Sequence, residues 1–224
     1  IACPEKIGVK EEQTLRRVEE HCLEYAKKHM PSDDPSHDVN HALRVLKNAK
    51  AIAAKEGGNM LVIIPAALLH DVVKFGKDEA HSLSAAEASA LQAEEFLMTL
   101  IDYPQQYIPL TKVAISQHSF GSMLVKPVTL ESKIIQDADR LEASGAISIM
   151  RTFASAGKYN IPFYHTADPF LKKGRVIETE NGYTKYALDL FYQRLLQVEK
   201  YMNTETAKEL VRSRTEFLQA FLAQ

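Results

Sequence analysis

Residues 66–75 read AALLHDVVKF: a run apolar enough to form the buried side of a helix carries an imidazole and a carboxylate, His70 and Asp71, at its centre. A fold that accepts this run must bury it and must also provide for the pair. Burying a polar group without a partner costs on the order of a few kcal/mol, and burying a charge costs more. A divalent metal ion is one partner that answers both groups.

The period around this run is helical. Leu15, Val18, Cys22, Tyr25 and Ala26 recur at three- and four-residue steps and predict a first helix over 11–29, stopped by Pro31. PSDDPSHDVN supplies turn chemistry. Ser36 then reads as the N-cap of a second helix carrying Val39, Ala42, Leu43, Leu46, Ala49 and Ala53, which stops at Gly57-Gly58. Asn59 reads as the cap of a third helix. Pro65 lies within that helix and removes a backbone donor, so the helix either kinks there or begins there, and a kink is the expectation. Further helices are expected at about 79–101, 105–118, 129–144, 145–157, 185–201 and 204–222. Between them AGKYNIPFYHTADPFLKKGRVIETENGY is rich in Gly, Pro, Asn and Asp and reads as a long loop over 157–184, a length typical of lids, linkers or partner surfaces. Strand-like stretches are limited to LVII and RVIET. The expected fold class is all-α. With 224 residues, 46% of them hydrophobic, the expectation is one domain over 1–224, with a core at about 15–160 and C-terminal helices 185–222 packed on it.

Charge removes some partners. A net charge of −2, with Lys and Arg scattered rather than blocked, offers no basic face for nucleic acid but leaves small anions open. The longest strongly apolar run, Met60 to Leu69, falls short of the ~20 residues a bilayer requires, so no membrane span is expected. Cys3 and Cys22 show no zinc-type spacing and no disulfide framework, which fits a reducing compartment and makes the cytoplasm the expected location.

Polar residues that break the amphipathic pattern gather into a constellation. His41 falls inside the second helix, His70-Asp71 inside the third, and Asp137 and Asp139 inside IIQDADRLEA. Adjacent helical residues point ~100° apart, yet both can reach a point lying off the helix in the wedge between them. Neighbouring helices could complete the shell there. Mixed nitrogen and oxygen ligation suits Mn, Fe, Co, Ni or Zn better than Ca. Positions two apart on a helix project about 200° from each other, so only one of Asp137 and Asp139 can face the same ion.

The order His41, His70-Asp71, Asp139 resembles the H…HD…D signature of the HD-domain metal-dependent phosphohydrolases, an all-α superfamily. SHDVNHALRV, AALLHDVV, ISQHSF and KIIQDADRLEASGAISIMRTFA are similar to segments of its YpgQ-like and YedJ-like bacterial members. The likeness runs in order over about residues 15–170, and YALD near 186 extends it. It implies an HD-domain helical bundle with His41, His70, Asp71 and Asp139 as metal ligands, Asp139 being the aspartate that precedes the arginine. Asp137 is then left to support the site or to cap a neighbouring helix. The implied cofactor is a divalent ion, Mn first, with Mg, Co, Ni, Fe or Zn as alternatives. Such an ion makes bound water acidic and orients a phosphate oxygen for attack.

The implied function is hydrolysis of a nucleotide or other phosphate ester, with a nucleoside triphosphate cleaved to monophosphate and pyrophosphate as the leading form. Asp71 and Lys74 are the expected catalytic residues; Arg44, Lys74, Lys77, His118 and Arg140 are the expected phosphate binders. Guanosine tetraphosphate hydrolases of this superfamily carry HDxxED, and here Lys74 and Phe75 occupy the acidic positions. That argues against their activity and against the 5′-nucleotidase branch, and a basic residue there suits a substrate with more phosphate charge. It also keeps open a regulatory or nucleotide-binding module with little turnover. His21, His29, His37, His81 and His165 read as structural, Phe75, Phe120 and Tyr164 as packing rather than base-stacking residues, and Leu188, Phe191, Leu195 and Val198 as a packing stripe. The oligomeric state is not readable from these patterns.

Overall fold

The computed structural model describes residues 8–30, 38–75, 84–119, 126–180 and 182–224. The described residues are predominantly helical, and the all-α expectation holds. Helices α1 (Val9–His29), α2 (Val39–Glu56) and α3 (Met60–Leu69) come first, followed by α4 (Ala85–Thr99), α5 (Ile108–Ser116) and α6 (Leu130–Arg140). After them come α7 (Gly145–Lys158), α8 (Ala187–Gln193) and α9 (Glu205–Leu222). A two-residue antiparallel hairpin, β1 (Thr179–Glu180) with β2 (Tyr183–Thr184), lies in the segment expected to be loop.

Helix α3 is the centre of the packing. Leu61 through Leu69 are all buried, so the helix is apolar on every side and needs neighbours all round. It finds them in α1, α2, α5 and α6. The turn into it requires glycine: Gly57 and Gly58 have φ of 84° and 105°, and a Cβ on Gly58 would lie 3.0 Å from Ile63 Cδ1 and 3.2 Å from Ile134 Cδ1. The Asn59 side chain then accepts from the Leu61 amide at 2.9 Å, so the helix starts at Met60 and not at Pro65. Pro65 still leaves the Leu61 carbonyl without its helical donor. The buried Tyr103 hydroxyl supplies one, donating to that carbonyl at 2.8 Å and lying 2.9 Å from Thr111 Oγ1.

Other boundaries shift for local reasons. Asp38 caps α2, accepting from the His41 amide at 3.0 Å, whereas Ser36 lies outside the described residues. The helix expected at 79–101 begins at Ala85, fixed by a capping box between Ser84 and Glu87. The stretch expected at 105–118 opens with a 3-10 turn at Gln105–Tyr107, and the one expected at 129–144 becomes 3-10 at Leu141–Ala143. The stretch expected to be one helix over 185–201 breaks at Arg194, whose φ and ψ of −133° and −54° separate α8 from a 3-10 segment, Leu195–Tyr201.

The main core draws on α1 to α6 and also takes in Val198, Met202, Ala207 and Val211. A smaller cluster of Leu188, Phe191, Leu195 and Leu218 packs α8 and α9 together beneath Ile149 and Phe153 of α7. The apolar stripe read from the sequence is therefore packing, as expected. Tyr164 is not, being 51% exposed. The segment between α7 and α8 is tied down: Arg175 holds the fully buried Asp189 of α8 with two bonds, at 2.9 and 2.5 Å. The Ala187 and Leu188 amides donate to Pro162 and Phe163 carbonyls, each at 2.9 Å. Among the described residues no helix is long and apolar enough to cross a membrane.

Candidate metal centre

The ends of α3, α5 and α6 and the first turn of α2 meet at one point. His41 lies in the turn that Asp38 caps, His70 and Asp71 follow the last turn of α3, His118 follows α5, and Asp139 precedes the last residue of α6. His41 Nε2 is 3.2 Å from His70 Nε2, 3.4 Å from Asp139 Oδ1 and 3.8 Å from Asp71 Oδ2. His70 Nε2 is 3.6 Å from Asp71 Oδ2. His41, His70 and Asp71 each offer a donor atom within 4.8 Å of the others, and Asp139 joins them from the His41 side. Ligand bonds of about 2.1 Å place neighbouring donors ~3.0–3.4 Å apart; His41 Nε2 has that spacing to His70 and Asp139, and Asp71 stands slightly wider, at 3.6–3.8 Å from the two imidazoles. The donor set of imidazole nitrogen and carboxylate oxygen fits a transition-metal ion.

Tautomers make the fit sharper. His70 Nδ1 lies 2.9 Å from the Ala67 carbonyl, which can only accept, so the proton is on Nδ1 and the Nε2 lone pair faces the centre. His41 Nδ1 faces Glu142 Oε2 at 3.5 Å, which favours the same tautomer there. Two ring nitrogens facing each other at 3.2 Å with that tautomer on both would repel unless a proton or a metal ion is shared between them, which suits a cation site. A carboxylate behind a ligating imidazole orients it and makes it a better base.

Charge states follow the neighbours. Burial pushes His70 down to about 4, against the pull of Asp71. Burial also opposes the charge on His41 and His118, but carboxylates outweigh it and raise both: Asp139 and Glu142 for His41, Asp71 for His118. Asp71 and Asp139 sit below the ordinary carboxylate range; burial works the other way, but Lys74 and His70 hold Asp71 down and the adjacent His41 imidazole holds Asp139 down.

The remaining expected residues separate. Lys74 lies beyond the end of α3, in irregular chain rather than on the helix, and its Nζ is 2.5 Å from Asp71 Oδ2. His118 Nε2 is 3.5 Å from Asp71 Oδ1, its Nδ1 bound to the Ile115 carbonyl at 2.7 Å. Arg140 lines the adjoining cavity but is buried, donates to the Tyr201 carbonyl and is lowered to about 10 by that burial. Arg44 turns to Glu142, Nε to Oε2 at 2.6 Å, and is absent from the described lining of the cavity. The carboxylate that draws it there is the one behind His41. Lys77, His37, His81 and Phe120 lie outside the described residues. Asp137 is spent elsewhere: buried, it accepts from the Asn203 amide and from the Thr204 amide and hydroxyl, each at 2.8 Å, and so fixes the start of α9.

A cavity of about 450 Å³ opens from Asp71 and Asp139 toward the C-terminal segment. Its described lining includes Arg151 of α7, Tyr183 and Thr184 of the hairpin, and Arg194 at the break after α8. Sequence reasoning missed Glu142, Arg151 and Arg194. Glu142 stands three residues after Asp139, a spacing that places both on one helical face, and that signal was available. The arginines carry no local signal.

The HD domain family matches residues 38–144, the stretch that contains all four candidate donors. The chain is 28% identical to the Bacillus subtilis protein YpgQ over 195 residues, covering 87% of this chain and 85% of YpgQ. Among solved structures it resembles Lin1889 from Listeria innocua with a TM-score of 0.69 at 28% identity, covering 93% of each chain. B. subtilis YpgQ in complex with ADP gives 0.66 at 25% identity, covering 96% of this chain and 95% of that one. An HD-superfamily hydrolase from Bacillus thuringiensis gives 0.65 at 27% identity, covering 96% of each. Fold, donor order and these likenesses agree: residues 38–144 match the HD domain, and the chain as a whole resembles HD-superfamily proteins.

Proposed function

We propose that this chain is a metal-dependent phosphohydrolase acting on a nucleotide, cleaving a nucleoside triphosphate to the monophosphate and pyrophosphate. The observation that carries the reading is the convergence of His41, His70 and Asp71, with Asp139 beside His41, at one end of a cavity lined by Lys74 and Arg140. The hydrolase from B. thuringiensis and the ADP complex of YpgQ support it by likeness. A divalent ion held by those four side chains, Mn first, would supply an acidified water and withdraw charge from the phosphate.

The protein's own groups do the rest. Lys74 Nζ, which rests on Asp71 at 2.5 Å, offsets the charge of the phosphate under attack. His118, with Nδ1 fixed on a carbonyl, presents Nε2 to a phosphate oxygen. Asp71 combines holding the ion with orienting Lys74 and His118, which makes it the most connected acid of the site. The cavity takes its lining from both the donor helices and the C-terminal segment, which supports a single working unit over 1–224.

Incubating the chain loaded with Mn, Co, Ni or Mg with nucleoside mono-, di- and triphosphates tests this. Release of pyrophosphate from a triphosphate is the expected result. Lys74 and Phe75, in place of an acidic pair, carry the second reading, a binding module with little turnover. Silence across all metals and nucleotides selects it.

A further inference from the structure

Taking the hydrolase reading of the same site as its basis, we propose that Arg151 and Arg194 bind the substrate phosphates beyond the one at the metal donors. They thereby select a chain of two or more phosphates over a monophosphate ester. Both arginines line the cavity from the C-terminal side, one from α7 and one from the break after α8. Arg151 is steadied by the Glu142 carbonyl, Nη1 to O at 3.3 Å. Arg194 lies within electrostatic reach of both Asp139 and Arg151, so the two guanidiniums repel each other across a space that opens onto the metal donors. Two guanidiniums on one wall of a cavity favour an anion between them.

The charge balance points the same way. Among the described lining residues, the cations Lys74, Arg140, Arg151 and Arg194 face the carboxylates Asp71, Asp139 and Glu142. A bound divalent ion therefore leaves three positive charges in excess. A nucleoside monophosphate brings about two negative charges and leaves part of that excess; each added phosphate brings about one more and cancels it. Guanidinium suits the task better than ammonium, because its planar fork donates to two phosphate oxygens at once.

The test measures binding to the full Mn²⁺-loaded chain by calorimetry. The probes are imidodiphosphate, whose P–N–P bridge resists hydrolysis, and orthophosphate. Wild type is expected to bind imidodiphosphate about tenfold or more tightly than orthophosphate. Arg151→Gln and Arg194→Gln should each lose most of that preference while keeping their metal. Arg212→Gln, which removes an exposed pair with Glu199 at 3.0 Å, should keep it. Equal binding of the two probes by wild type overturns the proposal, whatever the variants do. A preference that survives in both variants overturns it too. A nucleotide panel without turnover, combined with loss of the preference in the variants, sinks the hydrolase reading and supports the phosphate site; turnover with an unchanged preference sinks the phosphate site alone.

Discussion

The helices up to α6 and the chain after them meet at one cavity, and they contribute different kinds of group to it. The first region supplies every candidate metal donor, each fixed by a cap, a helix end or a carbonyl that sets its tautomer. The second supplies Arg151, Arg194 and the hairpin wall, positioned by a break in a helix and by long-range ties such as Arg175 to Asp189. The candidate donors sit on short, local geometry, whereas the arginines sit on tertiary packing that can vary without disturbing those donors. Separating the two experimentally is a direct way to break this contrast.

The largest effect is expected at the donors. His70→Ala or Asp71→Ala should remove bound metal and reduce turnover to background, read by metal analysis and pyrophosphate release on the same sample. Activity that persists in a metal-free variant would refute the mechanism. Next comes Arg175→Ala, which strands the fully buried Asp189 carboxylate. Breaking a buried pair costs about 3–5 kcal/mol. That loss should appear as faster hydrogen exchange and proteolysis confined to 157–184, with metal content unchanged. Loss of metal in this variant would show that the two regions are not separable.

Legibility in the sequence follows the same division. His41, His70, Asp71 and Asp139 stand out as candidates because helical spacing and ordered motifs are local properties, and the structure brings the first three together with Asp139 beside His41. The ambiguity between Asp137 and Asp139 was resolvable only to "one of two" by helical geometry, and it needed the start of α9, some 65 residues on, to show what Asp137 holds. Arg194 was hidden for a different reason: YALDLFYQRLLQVEKY has an unbroken helical period, and nothing in it signals the break that brings the guanidinium to the cavity. Arg44 was misdirected by its charge, since a cation near a phosphate site reads as a phosphate binder until the acid it pairs with is seen.

Glu142 sharpens the contrast from inside the first region. It lies behind His41 at 3.5 Å and takes Arg44 at 2.6 Å, so it faces a candidate donor while its own charge is balanced from outside. Burial raises its pKa, but the facing His41 imidazole and the Arg44 hydrogen bond outweigh that and lower it, so it is ionised near neutral pH. Removing such a carboxylate weakens metal binding by about 10–100-fold. Glu142→Gln should fall near the lower end, because an amide oxygen still faces Nδ1 and can orient the ring, and Glu142→Ala near the upper end. Competition with a metal chelator measures both. Equal affinity in all three proteins would mean that His41 is aligned by α2 alone.

The smallest effect is expected at Tyr103, and it asks how far the rigidity of the donors depends on the helix that delivers them. Pro65 sits five residues before His70 and interrupts the hydrogen bonding of α3; the Tyr103 hydroxyl restores what the Leu61 carbonyl lost. Tyr103→Phe keeps the ring in its buried place and leaves that carbonyl without a partner, for a cost of about 1–2 kcal/mol in denaturant unfolding. His70 is held independently, by its own bond to Ala67 one turn before it, so metal affinity should stay within about twofold. A larger fall would show that strain released at the proline travels along α3 to the ion. In that case the donor region, too, would depend on packing at a distance, and the distinction from the C-terminal region would be one of degree.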